Sequence, residues 1–439
     1  MNIPKRIASA LINSLKGGVV PRVGLPYITV GRKEEIEALV HDIDIVSQGG
    51  ASFRFIAGRY GSGKSFLLQT VRNYAMDRGF AVMDCDLSPE RRLHGTKGQG
   101  IATYRELVRN LSTKTRPDGG ALTLILERWI SSVQSSVVAQ NGVSPQSEGF
   151  RELVDREIYR VVGALSELVH GFDFARLLSL YYKAYLDGDD QLKANVIKWF
   201  RGEYSSKSEA RAELGVNIII TDDDWYDYIK LFSLFLHEAG YSGLLVLIDE
   251  LVNIYKVPNA ITRQYNYEKL LTMYNDALQG RASYMGIIMC GTPQCIEDQR
   301  RGLYSYEALR SRLADGRFAS DKRDMMAPVI KLSPLTAEEM LVLAEKLEEI
   351  HCGLYDHAAL LNDKQREDFI KLEYGRVGAD QNITPREIIR DFIQLLNVLC
   401  QHPGTSPSEL IGSGEFTFSP SSAVSDDASA KDEYSEFEI

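Results

Sequence analysis

Apolar positions along this chain follow two rhythms. Short, nearly continuous apolar runs at residues 52–57, 80–86, 244–248, 284–290 and 329–332 predict strands covered on both faces, the pattern of a parallel sheet between helices. Spacing of three and four predicts helices over 7–15, 66–78, 337–350, 364–372 and 385–399, with Gly79 as a stop signal after the second. Glycine and proline at Gly17, Gly18, Pro21, Gly24 and Pro26 predict an extended loop before the first strand. Residues 52–78 therefore read strand, glycine-rich loop, helix.

The second and third strands are separated by roughly 155 residues, mostly of helical pattern. A crossover between parallel strands needs only about a dozen. The expected organisation is an N-terminal segment over 1–50, an α/β core formed by 51–112 and 223–333, a helical insertion over 113–222, a C-terminal α-helical lid over 334–402 and a disordered acidic tail over 403–439.

Composition refines this picture modestly. Of 439 residues, 44% are hydrophobic and 25% charged, enough apolar content for one or two substantial cores. The formal charge of -10 is uneven: from Gly404 onward there are eight acids against Lys431 alone. Between Arg54 and Arg116, twelve Lys/Arg face five Asp/Glu, a local excess suited to a polyanion such as nucleotide or DNA, or to a solvated helix face. Five scattered cysteines without a C-x-x-C pair argue against a zinc site or disulfide framework. No apolar run approaches the ~20 residues of a membrane span, and a cytoplasmic setting is expected.

The chemistry concentrates where strand, loop and helix meet. Gly58-Arg59-Tyr60-Gly61-Ser62-Gly63-Lys64-Ser65 satisfies G-x-x-x-x-G-K-[ST]. In such a loop the glycines let backbone N–H groups converge on phosphate oxygens, Lys64 neutralises the β- and γ-phosphates, and the Ser65 hydroxyl holds Mg²⁺. The third apolar run ends in Asp249-Glu250. Asp249 is the metal carboxylate such a site needs, and Glu250 is placed to polarise an attacking water. Thr292 follows the fourth strand as a candidate γ-phosphate sensor or an ordinary turn threonine. Arg310 and Arg312 are candidates for an arginine finger acting on a neighbouring subunit, or for surface ion pairs. Arg386 opens the last lid helix, where position alone suggests capping chemistry.

Taken in order, these motifs resemble AAA+ P-loop ATPases, especially the origin-recognition branch, over roughly two-thirds of the chain. The resemblance implies nucleotide contacts from Gly31 and Arg32 ahead of the core, and roles for Thr292 and Arg386 as first and second sensors. It also implies ATP with Mg²⁺ as cofactors and a homo-oligomer with sites between subunits. Gly18-Val19-Val20-Pro21, Arg91-Arg92-Leu93-His94-Gly95, Tyr104-Arg105-Glu106-Leu107 and Trp199-Phe200-Arg201-Gly202-Glu203 more closely resemble the bacterial ATP-binding proteins of BREX-type phage-defence loci, the BrxD-like group. That implies a place in an antiviral defence complex beside a helicase or other DNA-acting partner. About 39 residues follow Cys400, too few for the winged helix of origin-binding relatives. DNA contact is then expected from the insertion, from residues 91–116 or from a partner. Two functional readings stay open here: an ATPase that drives assembly or remodelling of the complex, and a slow-hydrolysing, ATP-controlled switch that recruits a partner.

Overall fold

A computed structural model describes residues 3–166, 168–314, 323–375 and 384–412. Five strands, β1 (Ala51–Ala57), β2 (Ala81–Asp86), β3 (Leu244–Asp249), β4 (Met285–Gly291) and β5 (Val329–Lys331), pair in parallel in the order β2-β3-β4-β1-β5. β3 and β4 are buried along their whole length, which is why their sequences carry no polar alternation. All five strands point the same way, so their C-terminal ends form one edge. Register sets Asp86 opposite Asp249 and Ala57 opposite Gly291 along it. This is an α/β architecture built on a parallel sheet, with the glycine loop leaving β1.

Two local expectations change. Tyr284, read as a strand residue, has φ 55° and forms the entry turn, its carbonyl accepting from the Leu244 N–H at 2.8 Å. The extended loop expected through Pro26 contains a helical turn, Leu25–Ile28, because Pro26 sits in its first turn, where no N–H is needed, and Leu25 and Ile28 are buried.

The chain divides into two compact units. The sheet unit comprises Glu34–Arg59 and Thr70–Lys331. Its core runs without a break from strand residues such as Phe55 and Val246 into the helices of residues 122–214. Phe174 and Phe200 of that region meet Phe232 of helix Trp225–Glu238 at ring separations of 5.2 and 5.8 Å, and Trp129 meets Phe235 at 5.2 Å. The long segment between β2 and β3 thus shares the apolar interior of the sheet.

The second unit comprises Met1–Lys33, Tyr60–Gln69 and Leu332–Ile439. Helix Lys5–Lys16 buries Ala8, Leu11, Ile12 and Leu15 against helices Ala337–Tyr355 and Pro385–Gln401. The N-terminal helix therefore completes the apolar core of this unit, a placement its sequence did not announce. Capping boxes at Thr336/Glu339, Asn362/Gln365 and Thr384/Glu387 start three helices of this unit. Past residue 403, where the sequence reads as disordered, helix Pro407–Gly412 packs on helix Asp363–Tyr374, with Gln365 Nε2 donating to Ser408 Oγ at 3.2 Å. The rest of the acidic tail, 413–439, lies outside the described residues.

One buried carboxylate ties this unit. Glu348, 3% exposed, accepts from the Leu360 and Leu361 N–H groups at 2.8 Å and pairs with Arg366. Removing one partner of a fully buried ion pair costs about 3–5 kcal/mol. Arg366 is somewhat more solvated, so Arg366→Ala is expected to destabilise this unit by about 2 kcal/mol. Amide exchange at Leu360 and Leu361 should then accelerate roughly thirtyfold.

Candidate functional site

Within the sheet unit, the C-terminal edge gathers the loop start and the acidic residues. Gly58 N–H donates to Gly291 O at 3.0 Å, which anchors the glycine loop to the end of β4. Asp249, 9% exposed, closes β3, and its Oδ1 accepts the N–H of Glu250 at 2.7 Å. Glu250 itself is exposed and adopts φ 59°, a left-handed conformation uncommon for a residue with a Cβ. Such backbone strain concentrates at functional positions. Leu251 N–H then bonds to Cys290 O at 3.0 Å, and Asn253 Nδ2 donates to Leu87 O at 2.8 Å, so the turn after β3 is held from both neighbouring strands.

Thr292 follows β4 and N-caps helix Pro293–Glu297, its Oγ1 accepting from Cys295 N–H at 3.3 Å. The hydroxyl hydrogen is not consumed by that cap, so capping and phosphate sensing are compatible. Arg310 and Arg312 lie exposed on helix Glu307–Leu313. Arg312 donates to Asn275 Oδ1 at 3.2 Å and to Ala308 O at 2.8 Å, which commits its guanidinium to its own subunit.

Sequence reading missed Asp86. It ends β2 opposite Asp249, and the signal was its equivalent place at the end of a neighbouring strand. Desolvation, followed by the charges of Asp249 and Glu250, raises its carboxyl above the ordinary aspartate value. An acid whose folded pKa is raised contributes nothing unfavourable below its unfolded value. Its penalty on folding grows as pH rises above the unfolded value, where the unfolded chain ionises first, and is complete above the folded value, where the native carboxylate is ionised beside its neighbours. Asp86→Asn should therefore stabilise the protein more at pH 8 than at pH 4, a trend that urea melts at the two pH values would detect.

In the other unit the later loop residues are braced by two elements. Arg32, buried, donates through Nη2 to Ser62 O at 3.1 Å. The preceding Gly31 has φ 67°, a left-handed conformation that favours glycine, and a Cβ there would stand 2.5 Å from the Glu339 carboxyl. Arg32 thus supports the loop backbone. On the other side, Arg386 donates through Nη1 to Tyr60 Oη at 3.0 Å, and a Cβ on Gly61 would approach Thr384 side-chain atoms within 2.6–2.8 Å.

The loop's own atoms fit a phosphate. Ser62 Oγ is buried and has no hydrogen-bond partner among the described residues, and a phosphate oxygen would supply the acceptor it lacks. Gly63 has φ 94°, and a Cβ there would meet nothing within 4 Å. Lys64 and Ser65 open helix Lys64–Asp77, whose first N–H groups favour an anion. The Ser65 hydroxyl and the Asp249 carboxylate are hard oxygen donors of the kind Mg²⁺ prefers.

Three motifs of the chain converge in the sheet unit. Tyr104 Oη donates to Phe200 O and Arg105 Nε to Gly202 O, both at 2.7 Å. Leu93 and His94 N–H groups share Asn266 Oδ1 at 3.0 and 2.9 Å, while Trp225 Nε1 donates to Leu93 O at 3.0 Å. The loop after β2 is therefore clamped by backbone bonds from distant side chains. Among the described residues, no helix is long and apolar enough to cross a membrane.

A family model described as BREX system ATP-binding protein BrxC/D matches residues 3–415. Among solved structures, domain III of the replication initiation protein DnaA from Thermotoga maritima is similar, at 12% identity and a TM-score of 0.37, covering 90% of this chain and 98% of that one. No curated protein matches the chain.

Proposed function

The chain belongs to the BREX system BrxC/BrxD family of ATP-binding proteins, and from that membership we propose that it hydrolyses ATP with Mg²⁺ to drive assembly or remodelling of a DNA-associated defence complex. The observation that carries hydrolysis is Glu250: a carboxylate directly after the buried Asp249, on a left-handed turn pinned by its own N–H bond to Asp249.

In this reading Gly58, Arg59, Tyr60, Gly61, Ser62 and Gly63 form the phosphate cradle, with Arg32 supporting it through Ser62 O. Lys64 neutralises the β- and γ-phosphates. Ser65 and Asp249 would hold Mg²⁺, which when bound offsets phosphate charge. Glu250 orients the attacking water and accepts its proton. Thr292 and Arg386 sense the γ-phosphate. Arg310, exposed on its helix, is the better candidate for a finger reaching a neighbouring copy, because Arg312 is engaged with Asn275. Residues 113–222 serve as a helical insertion and 334–402 as the lid. The partners are other subunits of the BREX complex, among them a helicase or another DNA-acting protein, with DNA reached directly or through them.

The test is steady-state phosphate release from ATP by the full chain, with and without Mg²⁺, alone and with DNA and the other BREX proteins. Release that depends on Mg²⁺ supports the proposal. Bound ATP that survives for hours while partners still co-purify would replace it with a nucleotide-controlled recruiting switch.

A further inference from the structure

We propose that Tyr60 is a positioning residue for Arg386, holding its guanidinium beside the phosphate loop and thereby setting the preference for ATP over ADP. This rests on the reading of Arg386 as a γ-phosphate sensor.

Tyr60 occupies a variable position of the G-x-x-x-x-G-K pattern, where the phosphate chemistry asks nothing of the side chain. It is nonetheless a large aromatic, 55% exposed, and both its polar and its apolar features are engaged by one residue. Arg386 Nη1 donates to its hydroxyl at 3.0 Å, and the guanidinium carbon lies 5.1 Å from the ring centroid. A guanidinium has five N–H donors, and this contact uses one, leaving others for an anion.

The stability of the lid does not explain Arg386. It is the second residue of helix Pro385–Gln401, where the positive end of the helix dipole disfavours a cation. The capping there is done by Thr384 and Glu387, the Glu387 carboxylate accepting from Thr384 N–H at 2.9 Å. The guanidinium is held in place from outside the helix, by Tyr60.

One glycine permits that approach: Gly61, at φ 74°, leaves room for the Thr384 side chain, which a Cβ there would meet at 2.6–2.8 Å. The loop and the helix start are thus in contact at two neighbouring points, Gly61 against Thr384 and Tyr60 against Arg386. An arginine already held in this way loses less side-chain freedom when it takes a phosphate.

The experiment measures ATP and ADP affinities by calorimetry on the full chain with Mg²⁺, in a Glu250→Gln background so that ATP persists. Variants are Tyr60→Ala, Tyr60→Phe, Arg386→Ala and the Tyr60→Ala/Arg386→Ala pair. Tyr60→Ala is expected to reduce the preference for ATP over ADP about two- to fivefold, the worth of an exposed cation–π contact. Tyr60→Phe, which keeps the ring face, should retain most of it. Arg386→Ala should reduce the preference, and adding Tyr60→Ala should reduce it no further.

A Tyr60→Ala protein that keeps the wild-type ratio while Arg386→Ala loses it overturns the proposal. So does an equal loss of ATP and ADP binding in Tyr60→Ala, which would mean only a loosened loop, or a rise in ATP preference, which would mean that Tyr60 competes for the arginine. An Arg386→Ala protein with an unchanged ratio removes the underlying sensor reading instead.

Discussion

Glu250→Gln is expected to leave ATP bound and to lower phosphate release by about two to four orders of magnitude, the range expected when a general base is lost. Glutamine keeps the length and hydrogen-bonding shape of the side chain but cannot accept the proton of the attacking water. The Glu250 N–H bond to Asp249 Oδ1 comes from the backbone, so the turn after β3 keeps its geometry and the Asp249 carboxylate stays in place. The effect should thus fall on turnover and spare binding, a split read by ATP titration and single-turnover phosphate release on the same preparation. Equal release by wild type and variant would remove Glu250 from the chemistry and leave binding as the protein's whole role.

Lys64→Ala is expected to act at the earlier stage. A charge-assisted bond to phosphate is worth about 1.5–3 kcal/mol, so ATP affinity should drop roughly tenfold to a hundredfold. Alanine is the better helix former, and Lys64 opens helix Lys64–Asp77, so the local fold should survive the change. An unchanged melting curve beside weakened ATP binding is the expected pair of results. Unaltered affinity would mean that the loop from Gly58 to Ser65 does not hold the phosphates.

Much of the architecture could be read before any coordinates. The glycine loop lies between a strand and a helix because residues 52–78 change from a continuous apolar run to helical spacing around it. β3 and β4 were legible for the same reason: buried on both faces, they have no use for polar residues. Capping boxes at Thr336, Asn362 and Thr384 are local patterns and mark their helices locally. Tyr284 was misread because an aromatic residue before an apolar run has high strand propensity, whereas its left-handed backbone is imposed by the turn that returns to β3.

The candidate site divides along the same line. Lys64, Ser65, Asp249 and Glu250 stand out as candidates in the sequence because phosphate and metal chemistry demand particular residue types at short, fixed spacing. Asp86 facing Asp249, Arg32 on Ser62 O, Arg386 on Tyr60 and helix Lys5–Lys16 within the lid core join residues tens to hundreds of positions apart. No local pattern encodes such pairings, since each depends on strand register or on which apolar faces meet. Sequence by itself determined the chemistry that was available. Tertiary packing decided which side chains brace that chemistry, because long-range contacts arise only when the whole chain has buried its apolar surface.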